Sequence, residues 1–308
     1  MAFIKDCGIM LEPQEGVHVN EILEVAGRVE KEGYGYIFRS DHLLPIINPK
    51  NLDSPECWVS LGAIAARTKR IKYGSMVSPI GFRNPAVLAR MARTVDSISP
   101  GRLQLGVGVG WYEDEYIAHG IEFPSMKVRK QQFHEALQII RPVTQTGKVD
   151  FKGKYFSAHL DELPKPEQKI HMIIGGREPS IIRETMKYAD EWNFVPKEGF
   201  EFGHFARMIA GGDRKIEVSM MGPFIVADDK RGLRTRVRSV MRKQGVNKDE
   251  EVFSRELSKK GWVVGTQAEF AEQVNGLRER GVQKIYFQTF STEEWEFIEP
   301  LASALRGT

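Results

Sequence analysis

An aspartate and a histidine stand side by side, as Asp41 and His42, directly after the apolar run 34–40. Histidine is the side chain best suited to exchanging protons near neutral pH, and a neighbouring carboxylate can orient its ring. The same pair could instead cap a turn beside a surface histidine. We take Asp41 and His42 as candidate proton-exchanging residues, with the turn as the alternative interpretation.

A glycine-rich segment, residues 101–123, could bring the backbone close to a ligand. Three glycines alternate along 106–110 at the end of an apolar run, and acidic residues fill 113–115. The G-x-G-x-G spacing brings the third glycine one residue too early for the dinucleotide-binding fingerprint. Because glycine has no Cβ, a flat ligand or a phosphate could approach, although a plain turn uses the same residues. The carboxylates suit the positive end of a helix and would repel an anion bound there.

A second segment, 171–188, is a better candidate for binding an anion. Gly175 and Gly176 precede Arg177, and Pro179 opens the helical pattern that follows. Glycines free the backbone amides, a helix amino terminus favours negative charge, and an arginine can bind phosphate through two hydrogen bonds. This arrangement predicts a phosphate site, and the alternative is a glycine-rich turn with a solvated arginine.

The composition argues against several classes of protein. The chain has 308 residues, 41% of them apolar, and a net charge of +3, which argues against a broad nucleic-acid-binding surface. No apolar run reaches the roughly 20 residues of a membrane-spanning helix, and the amino terminus lacks the layout of a signal peptide. The seven histidines and two cysteines show no metal-ligand spacing, and no nucleophile elbow or phosphate-binding loop occurs. We expect a cytoplasmic protein without a metal site, acting on a small molecule through an organic cofactor.

The candidate residues follow predicted strands. Apolar strand-like runs alternate with helical patterns whose apolar residues recur every three or four positions. Nearly uniform apolar strands indicate a parallel sheet covered by helices. Eight of them suit a (β/α)8 TIM barrel, whose reactive groups lie at the carboxyl ends of the strands, and a doubly wound open sheet is the competing fold. The predicted strands are 3–11, 34–40, 71–79, 102–109, 171–176, 191–195, 217–227 and 284–290.

Two further segments bear on the organisation of the chain. The stretch 146–168, with spaced glycines and aromatic residues, predicts a hairpin inserted into a loop of a single domain covering 1–308. The run 230–245 carries seven basic residues and no acidic one. Such a helix is usually a solvated face, and the alternative is a surface that attracts an anionic ligand tail.

Five segments together resemble the bacterial luciferase-like family, in the order in which they occur there. They are SDHLLP (40–45), the block from FRNP to GIEF (82–123), FKGKYFSAHLDELPKPEQ (151–168), IIGGREPSIIRETMKYADEWN (173–193) and VVGTQAEFAEQV (263–274). The resemblance implies a (β/α)8 barrel that uses either FMN or the deazaflavin coenzyme F420. Because the five segments lie between residues 40 and 274 and keep the order of the family, the resemblance is more specific than any single motif.

The resemblance also implies roles for individual residues. In the F420-dependent members, the Ser-Asp-His segment lies beside the cofactor ring, which carries over to Asp41 and His42 as catalytic residues. The third strand ends in a bulge with a non-proline cis peptide behind the ring, the strand-four loop contacts the cofactor, and the loop after strand five holds its phosphate. The implied cofactor-binding residues are Asp41, Met76, Val77, Val109, Gly110, Trp111, Gly175, Gly176 and Arg177.

The activity implied by the resemblance is hydride transfer between F420 and a small organic substrate. His42 would donate or accept the accompanying proton, Asp41 would orient it or contact the ring, and the glycines of 106–110 would make room for the cofactor. Trp111 stands where sugar-phosphate dehydrogenases of the family carry an acidic residue, which argues against that substrate. Two alternatives stay open: an FMN-dependent monooxygenase served by a flavin reductase, and a cofactor-binding protein without catalysis. A homodimer is expected.

Overall fold

The computed structural model of the protein describes residues 3–161, 163–164 and 166–306. Its strands are β1 (Cys7–Leu11), β2 (Tyr36–Arg39), β3 (Lys72–Pro79), β4 (Leu103–Gly108), β5 (Val149–Lys152), β6 (Ser157–Leu160), β7 (His171–Gly175), β8 (Glu191–Phe194), β9 (Glu217–Ala227), β10 (Val263–Thr266) and β11 (Lys284–Thr289). Its α-helices are α1 (Val19–Lys31), α2 (Cys57–Arg67), α3 (Pro85–Ile98), α4 (Glu113–Ala118), α5 (Met126–Thr146), α6 (Pro179–Tyr188), α7 (Phe202–Ala210), α8 (Lys230–Lys243), α9 (Glu250–Lys259), α10 (Gln267–Glu279) and α11 (Ile298–Arg306).

Eight parallel strands close into a barrel in the order β1, β2, β3, β4, β7, β8, β9, β11. The last strand returns to the first, with Phe287 of β11 opposite Ile9 of β1. The barrel is also continuous between β8 and β9, where Asn193 lies opposite Ser219. This confirms the predicted (β/α)8 TIM barrel, and the competing open sheet is wrong.

Two strand predictions need correction. The first predicted strand begins too early, because Phe3–Asp6 forms a 3-10 helix and the strand starts at Cys7. The short strand β10 was missed. It pairs with the outer half of β9, where Val263 lies opposite Phe224, and it stays outside the barrel. Four residues that run straight into a helix are too few to show a strand pattern.

The predicted insertion, 146–168, contains a hairpin as expected. Strands β5 and β6 pair antiparallel, with Val149 opposite Leu160. Residues 162 and 165 of this segment lie outside the described residues.

Alternating side chains divide the apolar core into two layers, because successive residues of a strand face opposite sides. Inside the barrel, Met10, Tyr36, Phe38, Ile173 and Tyr286 pack together. Their sequence neighbours belong to a larger cluster between the strands and the surrounding helices. The filled barrel presents the carboxyl ends of its strands as one rim, where loops can carry functional residues.

Helix starts follow the signals in the sequence. Asn84 Oδ1 accepts a hydrogen bond from the backbone N–H of Ala86 at 2.9 Å, and Pro85 occupies the first position of α3, where no donor is needed. Thr266 and Glu269 form a capping box at the start of α10. Among the helices described, none combines the length and the apolar character required to cross a bilayer.

Candidate functional site

A cavity of about 680 Å3 opens at the carboxyl ends of the barrel strands. This volume is usual for a small-molecule or cofactor site, and the position is where barrel enzymes carry reactive groups. The predicted site residues that line it are His42, Met76, Val77, Val109, Gly110, Trp111, Gly175, Gly176 and Arg177. The structure therefore brings together in one cavity every predicted site residue except Asp41.

The ring of His42 is held by Glu115. Nδ1 of His42 lies 3.1 Å from Oε2 and 3.2 Å from Oε1 of the Glu115 carboxylate. The same carboxylate accepts a hydrogen bond from the backbone N–H of Leu43 at 3.0 Å, and Glu115 is only 1% exposed. Because an ionised carboxylate only accepts, Nδ1 carries a hydrogen, and Nε2 is the ring nitrogen left for a ligand.

The surroundings of His42 favour its protonated form. Burial alone would lower the pKa of His42, but the hydrogen bond that His42 donates to Glu115 and the charge of Glu115 act in the other direction, together with the charges of Glu12 and Asp41. The pKa of His42 is therefore raised above its usual value. Such a histidine can carry a proton near neutral pH and exchange it with a bound molecule.

Asp41 lies behind the cavity wall and is 1% exposed. Its carboxylate accepts hydrogen bonds from Arg83 at 2.7 and 3.1 Å and from Ser78 Oγ at 2.6 Å. Both carboxylate oxygens are thus engaged by other side chains, and the orienting role expected of Asp41 belongs to Glu115. A direct contact between Asp41 and a cofactor stays a prediction.

Glu115 was misinterpreted from the sequence. It lies in the first turn of α4, as expected of a helix-start carboxylate, but its side chain is buried against His42 and not solvated. Its neighbours Glu113 and Asp114 are exposed and fit the helix-start interpretation. No local pattern distinguishes the three acids, because the partner of Glu115 lies 73 residues away in the chain.

The glycines of β4 make room for β3. The peptide bond between Met76 and Val77 is cis, as the resemblance implied, and the β3–β4 register shifts beside it. A Cβ at Gly106 would lie 2.1 Å from the carbonyl oxygen of Ser75, and one at Gly108 would lie 2.6 Å from Val77 Cγ2. Gly106 and Gly108 therefore make room for the bulge of β3, whose side chains Met76 and Val77 line the cavity. Gly108 and Gly110 line the cavity as well, and the expectation that the glycines make room for the cofactor stays a prediction.

The loop after β4 places an exposed tryptophan beside the histidine. Gly110 adopts a φ of 84°, and a Cβ there would lie 2.2 Å from the hydroxyl oxygen of Tyr116. Trp111 follows with 61% of its surface exposed, and its ring centre lies 5.7 Å from that of His42 in an edge-to-face arrangement. Trp111 and His42 thus form one end of the cavity.

Arg177 lines the part of the cavity that follows β7. Its Nη1 donates to the carbonyl oxygen of Val195 at 3.2 Å, and no carboxylate of the described residues lies within ion-pair distance of it. The N–H of Gly176 donates to the carbonyl oxygen of Asn193 at 3.1 Å, so this amide is less available to a ligand than predicted. The cation for a phosphate is therefore mainly the guanidinium group itself.

Further charged groups of the cavity were missed in the sequence, among them Lys130 and Glu12. Lys130, on α5, lines the cavity near Arg177 and forms an ion pair with Glu178. Glu12, after β1, is 6% exposed and accepts hydrogen bonds from Gln14 at 2.9 Å and from Gln288 at 2.5 Å. Neither residue belongs to a local motif, because only the tertiary structure brings them to the cavity.

The basic helix α8 does not face the cavity. None of its described residues lines it, and four of its seven basic side chains pair with acids of neighbouring segments. The alternative interpretation of 230–245, a surface that attracts an anionic ligand tail, therefore does not support F420 as the cofactor. The ion pairs are Lys230–Glu269, Arg234–Glu251, Arg238–Glu250 and Lys243–Glu293.

A charged cluster closes the opposite end of the barrel. His171, Glu191 and Glu217 bring possible metal-ligand atoms within 4.8 Å of one another. However, Lys284 Nζ donates to Glu191 at 2.7 Å and to Glu217 at 2.8 Å, so an ammonium group already neutralises the carboxylates. Burial alone would raise the pKa of Glu191, but Lys284 and His171 lower it to about 2. This cluster is an internal ion-pair network of the barrel.

The fold and the site define a (β/α)8-barrel protein with a ligand cavity and a carboxylate-held histidine at its mouth. The chain belongs to the luciferase-like monooxygenase family, whose model matches residues 6–284. This confirms the family resemblance inferred from the sequence.

Individual relatives share a cofactor in their names. An F420-dependent glucose-6-phosphate dehydrogenase of Microbacterium testaceum is 34% identical over 173 residues, 56% of this chain and 51% of the relative. The chain thus matches about half the length of that relative. A protein of the same name from Gordonia bronchialis is 26% identical and covers 91% of this chain and 90% of its own. An F420-dependent secondary alcohol dehydrogenase, solved with an F420-acetone adduct, superimposes with a TM-score of 0.77 at 23% identity over 99% of each chain.

Proposed function

We propose that this protein is an oxidoreductase that transfers a hydride between coenzyme F420 and a small organic substrate. The observation that carries the proposal is the pairing of His42 with Glu115 at the mouth of the cavity. It fixes the ring and leaves Nε2 for proton exchange with a substrate. The F420-dependent names of relatives that share the family support the choice of cofactor.

The residues of the cavity fit a flat, phosphorylated cofactor. Arg177 offers a guanidinium group without a carboxylate partner among the described residues, and α6 begins two residues later. Together they suit a phosphate. Met76 and Val77 offer an apolar wall against which a ring system can pack. Lys130 adds positive charge at the same end once its pairing with Glu178 is relaxed.

The bound deazaflavin would supply a ring carbon that accepts or donates a hydride. In alcohol oxidation, the hydrogen of the C–H bond would leave with both bonding electrons as a hydride to the cofactor, the proton of the O–H bond would pass to Nε2 of His42, and a carbonyl group would form. In the reverse direction, protonated His42 returns the proton to the oxygen. Glu115 stabilises the protonated ring, and the apolar walls of the cavity limit access of water to it.

Isotope transfer tests this proposal. The protein is incubated with F420 and 2-propanol carrying deuterium on its central carbon, and the reduced cofactor is examined by mass spectrometry. We expect one deuterium on the cofactor and an equal amount of acetone, without consumption of oxygen. Product formation that requires FMN, a flavin reductase and oxygen would overturn the proposal in favour of a monooxygenase. Cofactor binding with no redox reaction across alcohols, aldehydes and activated alkenes would also overturn it.

A further inference from the structure

We infer that the end of the cavity beside His42 selects substrates with a neutral, apolar body, such as a ketone or secondary alcohol carrying a hydrocarbon chain, over phosphorylated sugars. The inference rests on the proposed function, because it names the substrate class for the same site. It concerns three residues, Ile46, Ile47 and Trp111, which we call the apolar rim.

Exposed apolar side chains concentrate at this cavity. Twelve large hydrophobic residues are exposed within the described part of the chain, and five of them line it. Single exposed apolar residues are ordinary, but a group around a concave site indicates a surface that a ligand covers. The five, with their exposed fractions, are Ile46 (37%), Ile47 (65%), Trp111 (61%), Met126 (40%) and Val195 (38%).

The neighbours of these five residues place them in two groups. The carbonyl group of Val195 binds Arg177, and Met126 lies one helical turn before Lys130 on α5. Both therefore belong with Arg177 and Lys130, which we call the cationic end. The apolar rim belongs with His42, because Ile46 and Ile47 follow His42 in the same loop and the ring of Trp111 contacts that of His42.

The apolar rim is held in place by a buried carboxylate. Glu15 is 7% exposed, and its side chain accepts hydrogen bonds from the backbone N–H groups of Ile46 at 2.9 Å, Ile47 at 3.1 Å and Asn48 at 2.9 Å. Glu115 fixes the start of the same loop through Leu43. Two carboxylates thus position the loop with its isoleucines uncovered, as a preformed binding surface requires.

The charges around His42 disfavour an anionic substrate. Of the lysines and arginines, only Lys130 and Arg177 line the cavity in the described structure, and their side chains bind Glu178 and the carbonyl group of Val195, not the His42–Glu115 pair. Lys50, on the His42 loop, does not line the cavity and is paired with Asp114. The carboxylate nearest the ring of His42, that of Glu115, would repel a second negative charge. A phosphate placed beside His42 would therefore lack a cationic partner.

Binding of ketones to the protein loaded with oxidised F420 tests this inference without turnover, because neither partner can donate a hydride. Calorimetric titration would use acetone, 2-butanone, 2-hexanone and 2-octanone, with glucose 6-phosphate as the anionic probe. We expect affinity to rise about threefold to fourfold per added methylene group, until the rim is covered. Glucose 6-phosphate should bind more weakly than 2-hexanone and should not reduce the cofactor.

Matched variants locate the effect. Ile47→Ala should weaken 2-octanone binding about tenfold and acetone binding less than twofold, with unchanged F420 affinity. Val59, on α2, is a β-branched apolar residue of similar exposure (73%) that does not line this cavity. Val59→Ala should change neither the affinity for 2-octanone nor that for acetone. Equal affinities along the ketone series, or no effect of Ile47→Ala, would overturn the inference alone. Failure of F420 itself to bind, measured first, would overturn the proposed function as well.

Discussion

The imidazole of His42 and the carboxylate of Glu115 meet at 3.1 Å, although one follows β2 and the other lies in α4. The contact gives the histidine its orientation and favours its charged form. A proton-exchanging group whose pKa depends on one identified neighbour can be tested by changing that neighbour.

Replacing Glu115 should shift the pH dependence of hydride transfer. In alcohol oxidation His42 must be neutral to accept the proton, so the rate rises as pH passes through its pKa. Glu115→Gln retains an acceptor but removes the charge, which lowers the pKa of His42 and moves the rise in rate to lower pH. The measurement is the pH profile of kcat/KM for F420 reduction.

Asp114→Asn provides the control for this shift. Asp114 lies in the same helical turn, but its side chain is half exposed and paired with Lys50. Its replacement should leave the pH profile in place. An equal shift in both variants, or none in Glu115→Gln, would show that Glu115 does not tune His42.

His42→Ala should slow turnover by about 100-fold or more, since general acid-base catalysis contributes at least that much. Cofactor affinity should change little, because the cationic end of the cavity is untouched. Stopped-flow reduction of F420 and an equilibrium titration measure the two effects separately. Near-normal turnover would remove His42 from the mechanism.

Arg177→Ala should weaken F420 binding by about 1–3 kcal/mol, the range for a hydrogen bond to a charged group. Arg183, six residues later and on α6, is exposed and does not line the cavity, so Arg183→Ala serves as the matched control. Fluorescence titration of both variants gives the comparison. Equal affinities for the two variants would contradict the assignment of Arg177 to the phosphate.

Lys284→Met should destabilise the barrel by about 3–5 kcal/mol at pH 7, because it leaves the buried Glu191 without its ammonium partner. Urea unfolding followed by circular dichroism measures the loss. Lys248→Met, which breaks the exposed pair with Glu256, should cost much less stability, because exposed ion pairs contribute little. A similar loss in the free energy of unfolding of both variants would contradict the proposed stabilisation of the barrel by the internal ion-pair network.

The same network predicts how stability depends on acid. The pKa of Glu191 in the folded protein, about 2, lies below its usual value of 4.5, so its contribution to stability is complete above about pH 4.5. That contribution is lost as pH falls from about 4.5 towards 2. In Lys284→Met the pKa of Glu191 should rise, so the difference in stability from the wild type should shrink as pH falls below 5.

Local sequence patterns were sufficient to predict the barrel. Eight apolar runs alternate with amphipathic helices, and each barrel strand was placed within a few residues of its position. The strand that was not predicted, β10, pairs outside the barrel and runs directly into α10. The single domain, the homodimer and the cytoplasmic location stay predictions.

The candidate site was predicted in part. Residues in short motifs at strand ends, such as His42 and Arg177, do line the cavity. Glu115, Glu12 and Lys130 were not recognised, because their roles depend on partners distant in sequence and on which of several similar side chains turns inward. Asp41 shows the converse. Its position beside His42 in the chain suggested that it orients His42, but its carboxylate binds Arg83 instead.

The most direct test of the central claim is a side-by-side titration of the purified, cofactor-free protein with F420 and with FMN, followed by fluorescence. We predict saturable binding of F420 and at least tenfold weaker binding of FMN, with Arg177→Ala weakening the F420 complex. Preferential binding of FMN would contradict the proposed deazaflavin-linked hydride transfer and favour oxygen-dependent chemistry. Binding of neither would contradict the assignment of this cavity to a flavin-type cofactor.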